Sequence, residues 1–370
     1  MVSYWRVTNG IQVYNILRLP HHGGMANLPV VDLADAAGRP LEFAVELREA
    51  MREVGFCYLV GHGADDLEDE EDGLFALAKR LFALPDGEKA AVSMAQSPHF
   101  RGYTRLGGEL TGGQVDWREQ IDIGPDLDPI PGARGSWNLQ GPNQWPPGLP
   151  ELRPAVERHC ARLDAVGQSL LEALALSFGA EPGSFDRAFY PEPGPADPDG
   201  YVPRPATLLK IVRYPGGSGY RQGVGAHKDS GVLTLLASAP GSVGLQVDVP
   251  GQGWTDAPTV PGALIVNIGE LLEVATGGYL RATRHRVLAP AEGEERLSVP
   301  FFYNPALGST LPALDLPAEL AERVRPAPPE PDNPIFRTYG ENAWKSRIRA
   351  HPDVAERWHG IAAKAPASAY

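Results

Sequence analysis

Arg296-Leu297-Ser298-Val299-Pro300-Phe301-Phe302-Tyr303 reads as a strand with a chemically loaded face. Successive side chains of a strand point to opposite sides, so Arg296, Ser298 and Phe302 share one face. A guanidinium beside a hydroxyl makes a clamp for a carboxylate, because arginine offers a rigid fork of donors. A surface salt bridge would account for Arg296 but would leave an inward Ser298 without a reason. Working outward, short apolar runs recur at 207–214, 232–238, 244–249, 263–268, 280–288 and 296–303, separated by turns bearing Gly and Pro. Regular short strands with such turns predict a sandwich or jelly roll.

The flanks read differently. Toward the amino end the pattern is mixed, with strands expected at 29–33 and 55–60 and helices at 41–54 and 66–83, the second opening on an Asp- and Glu-rich start that suits a helix N-terminus. The stretch 100–148 is dense in Gly, Pro and Trp and reads as loops with short strands. Apolar residues at helical spacing (Val156, Leu163, Val166, Leu170, Leu174) predict a long helix over 150–179. Residues 190–205 read as a linker, 312–334 as a Pro-rich segment and 335–350 as a closing helix. The fold class is therefore mainly β with flanking helices. The expected division is an extension over 1–27, a mixed helical region over 28–190, the β core over 204–306 and a carboxyl-terminal segment over 307–370.

Bulk properties narrow the function. The chain has 370 residues, 43% of them apolar, with a formal charge of -13 and a pI near 5.2. Such an acidic chain is a poor partner for phosphate backbones or anionic lipid, which sets nucleic acid and membrane surfaces aside. No apolar run is long enough to span a bilayer, and no signal peptide is evident in the first 24 residues. Met25 lies just before the point where the globular pattern begins, so deletion up to it is expected to leave the fold intact. The two cysteines, Cys57 and Cys160, make no disulfide framework, and a reducing, cytoplasmic location fits. No heptads or repeats specify an oligomeric state.

His227 and Asp229 stand two apart after Gly223-Val224-Gly225-Ala226. In an extended segment both can reach one metal. A third ligand must come from another strand. In Arg281-Ala282-Thr283-Arg284-His285-Arg286-Val287, alternation puts Thr283, His285 and Val287 on one face and the two arginines on the other. Two imidazoles and one carboxylate on one face, with the opposite positions open, are what an oxygen-activating ferrous site requires. His21, His22, His99, His159, His351 and His359 read as surface or packing residues, and His62 as a turn residue.

At these residues the chain resembles the isopenicillin N synthase-like family of 2-oxoglutarate- and Fe(II)-dependent oxygenases. The ordered matches include Leu28-Pro29-Val30-Val31-Asp32, Gly55 through Gly63, Arg101-Gly102-Tyr103, Tyr214-Pro215, His227-Lys228-Asp229, Gly244-Leu245-Gln246-Val247, Pro261 through Gly269, His285-Arg286-Val287 and Arg296-Leu297-Ser298. The resemblance implies a double-stranded β-helix with helical flanks. It implies Fe(II) on His227, Asp229 and His285, and the distal carboxylate of 2-oxoglutarate on Arg296 and Ser298 with help from Tyr214. It also implies consumption of O2 and release of succinate and CO2. Hydroxylation of a small soluble metabolite is the default outcome, with desaturation, ring closure and ring expansion as alternatives. Asp229 fills the coordination position a halide would need. Glu270 stands where the family often has Asp. Tyr103, Glu109, Glu119 and Phe302 are the candidate substrate contacts. Two rivals stay open: a 2-oxoglutarate-independent oxidase of the isopenicillin N synthase type, which would put Arg296 and Ser298 on its own substrate, and a catalytically silent binding protein on the same fold.

Overall fold

The computed structural model describes residues 28–63, 73–217, 219, 221–325 and 333–362. The expected extension over 1–27 therefore lies outside the described residues, as does the acidic start of the helix expected from 66. The strands are β1 (Val30–Asp32), β2 (Phe56–Val60), β3 (Gly102–Thr104), β4 (Glu109–Thr111), β5 (Gln114–Asp116), β6 (Glu119–Ile123), β7 (Leu208–Pro215), β8 (Gln222–His227), β9 (Leu233–Ser238), β10 (Leu245–Val249), β11 (Gly253–Asp256), β12 (Leu264–Ile268), β13 (His285–Leu288) and β14 (Glu295–Tyr303).

Eight of them form a major sheet in the order β1-β2-β12-β9-β14-β7-β6-β3, and four form a minor sheet in the order β11-β10-β13-β8, while β4 and β5 make a separate hairpin. The two sheets face each other as a double-stranded β-helix. Strand alternation divides the major sheet cleanly. Its inner residues, among them Phe56, Tyr58, Val212, Tyr214 and Ile265, pack with Val224, Leu245, Val247 and Val287 of the minor sheet. Its outer residues, among them Leu233, Leu235, Val266, Val299 and Phe301, pack against helices.

Two of those helices are Pro40–Glu53 and Leu152–Ser177, whose buried residues recur at helical spacing. The second passes very close to β14. A Cβ placed on Gly167 would lie 2.6 Å from the ring of Tyr303, so only glycine lets the helix approach that far. The carboxyl-terminal helices Tyr339–Ala350 and Pro352–His359 lie against β4 and the turn at Met94–Gln96.

One strand is shorter than its pattern. The run expected over 280–288 pairs only from His285 onward. Before it the backbone crosses the start of β2, with Arg281 N donating to Met51 O and Thr283 Oγ1 to Val54 O. Gly55 permits the crossing: its φ is +76° and a Cβ there would meet Arg281 O at 2.1 Å. That segment spends its hydrogen bonds on the helix end and on Glu273, and reaches the minor sheet only at Arg284 O, which accepts from Asp248 N.

Gly167→Leu should force helix and sheet apart. Overpacking of this kind costs about 1–3 kcal/mol, to be read as a lower denaturant midpoint at unchanged slope. An unchanged midpoint would mean that Tyr303 moves aside freely.

Candidate metal centre

His227 is the last residue of β8 and His285 the first of β13, and the two are directly paired across the minor sheet. Their rings lie 4.2 Å apart between centroids. Each ring is oriented through its inner nitrogen: His227 Nδ1 lies 2.8 Å from Gly225 O, and His285 Nδ1 lies 3.2 Å from Thr283 O. With the proton on Nδ1, both Nε2 lone pairs are free to bind a metal. Both Nε2 atoms approach Asp229 Oδ1, at 3.5 and 3.7 Å. The other carboxylate oxygen, Oδ2, accepts from Thr234 Oγ1 at 2.5 Å and from Asn267 Nδ2 at 2.8 Å. One ligand atom from each of the three residues lies within 4.8 Å of the others.

The electrostatics suit a cation. Burial by itself would raise the Asp229 carboxyl, but the flanking imidazoles and the Asn267 amide hold it well below the ordinary carboxylate range. Burial and the nearby His227 push His285 down to about 4, which keeps its lone pair available. Burial opposes a charge on His227, yet Asp229 beside it raises its affinity for a proton. Two neutral imidazoles and a carboxylate on one face are the donor set of a ferrous oxygen-activating site. These residues fit the metal that the sequence implies.

On the inner face of β14, Arg296 is 2% exposed and is paired with Tyr214 of β7. Its guanidinium donates to Ser238 Oγ at 2.9 Å and to Val243 O at 3.4 Å, while its Nε has no partner. Burial lowers its proton affinity, and Tyr214 acts in the opposite sense. No carboxylate among the described residues pairs with Arg296, and a buried cation without a counter-ion is costly. Ser298 sits one inward position along and is paired with Ser238 across β9. Phe302 lies further along the same face, beside Thr234. The stretch from Asp229 to Arg296 thus runs along one sheet face, from a metal-type donor set to an anion clamp.

Not every expected residue comes to this face. Tyr103 and Glu119 are corrected: they lie on the helix-packed side, where Tyr103 donates to Glu119 at 2.6 Å and Arg213 Nη1 to Glu119 at 2.9 Å. In β6 it is Gln120 and Asp122 that point inward, because Gln120 pairs with Val212 and Asp122 with Lys210. Glu109 does reach the interior, bonded to Lys210 Nζ at 3.0 and 3.3 Å. His351, expected as a surface or packing residue, is buried 3.8 Å from Glu109. The sequence reading missed Thr234, Asn267, Ser238, Lys210 and Arg118. Asn267 carried a signal, since it interrupts an otherwise apolar strand, and Lys210 did too, standing among apolar neighbours on the face opposite Arg213.

Comparison with known proteins gives the same picture. Residues 28–148 match the model of the non-haem dioxygenase N-terminal region named for morphine synthesis, and residues 205–305 match that of the 2OG-Fe(II) oxygenase superfamily. A 2-oxoglutarate-dependent dioxygenase, frbJ, of Dothideomycetidae sp. (strain 11243) is 33% identical over 90% of this chain and 92% of its own length. Homoarginine-6-hydroxylase 2-ODD-C23.2 of Arabidopsis thaliana is 30% identical over 77% of this chain and 76% of its own. Among solved structures, a 2OG-Fe(II) oxygenase family protein from Caulobacter crescentus superposes with a TM-score of 0.65 at 26% identity, covering 86% of this chain and 97% of that one. A full-length Neurospora crassa protein solved in complex with alpha-KG shares the fold, with a TM-score of 0.64 at 20% identity over 90% of this chain and 98% of its own.

Thr234→Val and Asn267→Ala each remove one hydrogen bond that orients Asp229. Losing such a partner typically weakens metal binding by roughly 10–100-fold. Titration of the protein with Co(II), followed by its visible absorption, reads this directly. An affinity unmoved in both variants would show that the carboxylate is oriented by other means.

Proposed function

The chain belongs to the 2OG-Fe(II) oxygenase superfamily, and from that premise we propose that His227, Asp229 and His285 hold its iron, that Arg296 with Ser298 and Tyr214 seats its 2-oxoglutarate, and that it hydroxylates a small soluble metabolite. It is a 2-oxoglutarate-dependent dioxygenase, with Fe(II) and 2-oxoglutarate as its cofactor and co-substrate. The single observation that carries the residue assignment is the presence of a complete His-Asp-His donor set between the two sheets together with a buried, carboxylate-free arginine on the inner face of the major sheet.

With iron and 2-oxoglutarate bound, O2 would be the oxidant, one oxygen atom going to succinate as 2-oxoglutarate loses CO2 and the other into a C–H bond of the substrate. The chain's own groups do the rest. Gly225 O and Thr283 O hold the proton of each neutral imidazole on Nδ1, which turns the Nε2 lone pair toward the metal position. Thr234 and Asn267 hold one oxygen of Asp229, which leaves the other directed at the imidazoles. The Arg296 fork selects a ligand with a second carboxylate, and Ser238, bonded to it, fixes the fork's plane. Leu236 and Pro300, paired side by side between the metal side and the clamp, offer apolar surface to the middle of a diacid and limit water there. A small, soluble substrate agrees with the acid-rich composition. No helix among the described residues is long and apolar enough to cross a membrane. Two free cysteines, Cys57 fully buried, support a cytoplasmic location.

Arg296→Leu and Arg296→Lys should weaken 2-oxoglutarate binding by a factor of roughly 30 to several thousand, the equivalent of about 2–5 kcal/mol for one partner of a desolvated ion pair. Lysine does not rescue, because it lacks the planar fork. Anaerobic titration of the Fe(II) protein with 2-oxoglutarate measures the loss, and Fe(II) affinity without 2-oxoglutarate should hold. Asp229→Ala should abolish turnover. Full turnover of the substrate in the absence of 2-oxoglutarate would replace this reading with a co-substrate-independent oxidase.

A further inference from the structure

Beyond Val212 the inner face of the major sheet turns from apolar to charged. Lys210 projects from β7, and Gln120 and Asp122 project from the adjoining β6. The β4–β5 hairpin adds Glu109 and Asp116, the short link before β6 adds Arg118, and the carboxyl-terminal helix adds Arg347, with His351 just after it. Every one of these side chains is buried. Glu109 is bonded to Lys210 and lies 3.1 Å from Arg118 Nη2. Asp122 accepts from Arg347 Nη1 at 2.5 Å and lies 3.5 Å from Lys210. Asp116 accepts from Arg118 at 3.2 Å.

The network borders the metal centre. Asp116 Oδ1 accepts from Gly225 N at 3.2 Å, on the same peptide segment whose carbonyl orients His227. Arg118 is near enough to act electrostatically on both His227 and Tyr214. Ser346, next to Arg347, meets Ser230, the neighbour of Asp229, at 3.2 Å. The charges therefore stand beside the donor set and not behind it.

Two features point to a ligand. First, the directly paired charges balance, with Glu109, Asp116 and Asp122 against Arg118, Lys210 and Arg347. Arg101 nearby adds a further buried cation, bonded to the carbonyls of His99 and Leu139, and burial pushes His351 down to about 4. The network thus holds buried cations and buried carboxylates side by side, which suits a guest bearing one charge of each sign. Second, three buried polar atoms have no hydrogen-bond partner: Arg118 Nε, Gln120 Oε1 and His351 Nε2. Such atoms are uncommon in folded proteins and call for a partner, and here they include both a donor and an acceptor.

We propose that this network receives the prime substrate and that the substrate is a small zwitterion of the α-amino-acid class, its carboxylate taken by Arg118 and Lys210 and its ammonium by Glu109. The inference rests on the oxygenase reading above. The rest of the substrate then extends toward His227 and Asp229, where Phe302 stands half-buried.

The test uses the intact Fe(II) enzyme with 2-oxoglutarate and reads succinate release. The probes are the common L-amino acids with ornithine and homoarginine, each beside its N-acetyl and methyl-ester derivative, plus thymine as an uncharged compound and hexanoate as a singly charged one. The expected result is stimulation by at least one free amino acid and a loss of at least tenfold for its two blocked derivatives. In Glu109→Gln and Lys210→Met the KM for that amino acid should rise at least tenfold, while the Kd for 2-oxoglutarate stays within threefold. Equal stimulation by a blocked derivative, thymine or hexanoate overturns the proposal, as does a slow substrate-free release of succinate that no amino acid increases. Absence of any 2-oxoglutarate-dependent succinate, with or without probe, would instead strike at the oxygenase reading itself. The wild-type panel decides the matter even if a variant fails to fold.

Discussion

The Asp229 carboxylate is gripped by both sheets at once. Thr234 and Asn267 of the major sheet hold Oδ2, and the two imidazoles at the edge of the minor sheet face Oδ1. Everything else about the site follows from that grip. The direct pairing of His227 with His285 brings the rings together without a loop having to fold over them. Asp229 need only follow β8 by two residues to reach the facing sheet. A donor set built this way is tied to strand register, and a one-residue slip of either strand would turn a ligand away from the cavity.

The space between the sheets is graded along the strands. Its middle is apolar, filled by Phe56, Tyr58, Val212, Val247 and Ile265. Toward one end stands Arg296, a cation without a carboxylate, and toward the other side of the face stands the balanced network around Glu109 and Lys210. The two polar regions differ in kind. The arginine clamp lacks an anion and so selects one. The network matches its direct ion pairs one for one but leaves individual donors and acceptors unpaired. Placing the unpaired cation and the paired network on either side of the metal-type donor set separates two ligands by chemistry as well as by position.

Much of this was legible in the sequence wherever local alternation was enough. His285 and Val287 do face inward together, and Arg286 lies over the Trp254 ring at 4.2 Å on the other side, while Thr283, buried just before the strand, bonds Val54 O instead. Arg296, Ser298 and Phe302 share a face as their spacing requires. Alternation alone, however, does not say which face is inward. In β6 it separates Glu119 from Gln120 and Asp122, but only the pairing of Asp122 with Lys210 decides that Glu119 points to the helices. Tyr103 follows Glu119 for the same reason, since it pairs with Ile121 on that side. Ser238 was hidden differently: its role comes from standing opposite Ser298 on a neighbouring strand, 60 residues away in sequence, and no local pattern reports that.

The Glu109 network is the extreme case, because its members come from the hairpin, β6, β7 and the carboxyl-terminal helix. Each looks ordinary in its own segment. Arg347 sits in a helix whose exposed positions are also polar, and Lys210 is one of two basic residues in a largely apolar strand. What assembles them is the docking of the Tyr339–Ala350 helix over the strand ends. Ser346 reaches Ser230, Arg347 reaches Asp122, and Lys345 holds Asn333, which in turn donates to Glu270. Glu270 N donates to the backbone oxygen of Asp229 at 2.7 Å, so the same helix is tied through two residues to the main chain that carries the metal-type carboxylate. Glutamate at this position has the reach to accept from Asn333, which gives the departure from the family's usual aspartate a physical use. A helix that both completes the charged wall and is anchored beside Asp229 couples the position of the substrate's polar end to the position of the donor set. The bond to be oxidised is then placed by distances fixed within one packed unit rather than by a loop that closes independently.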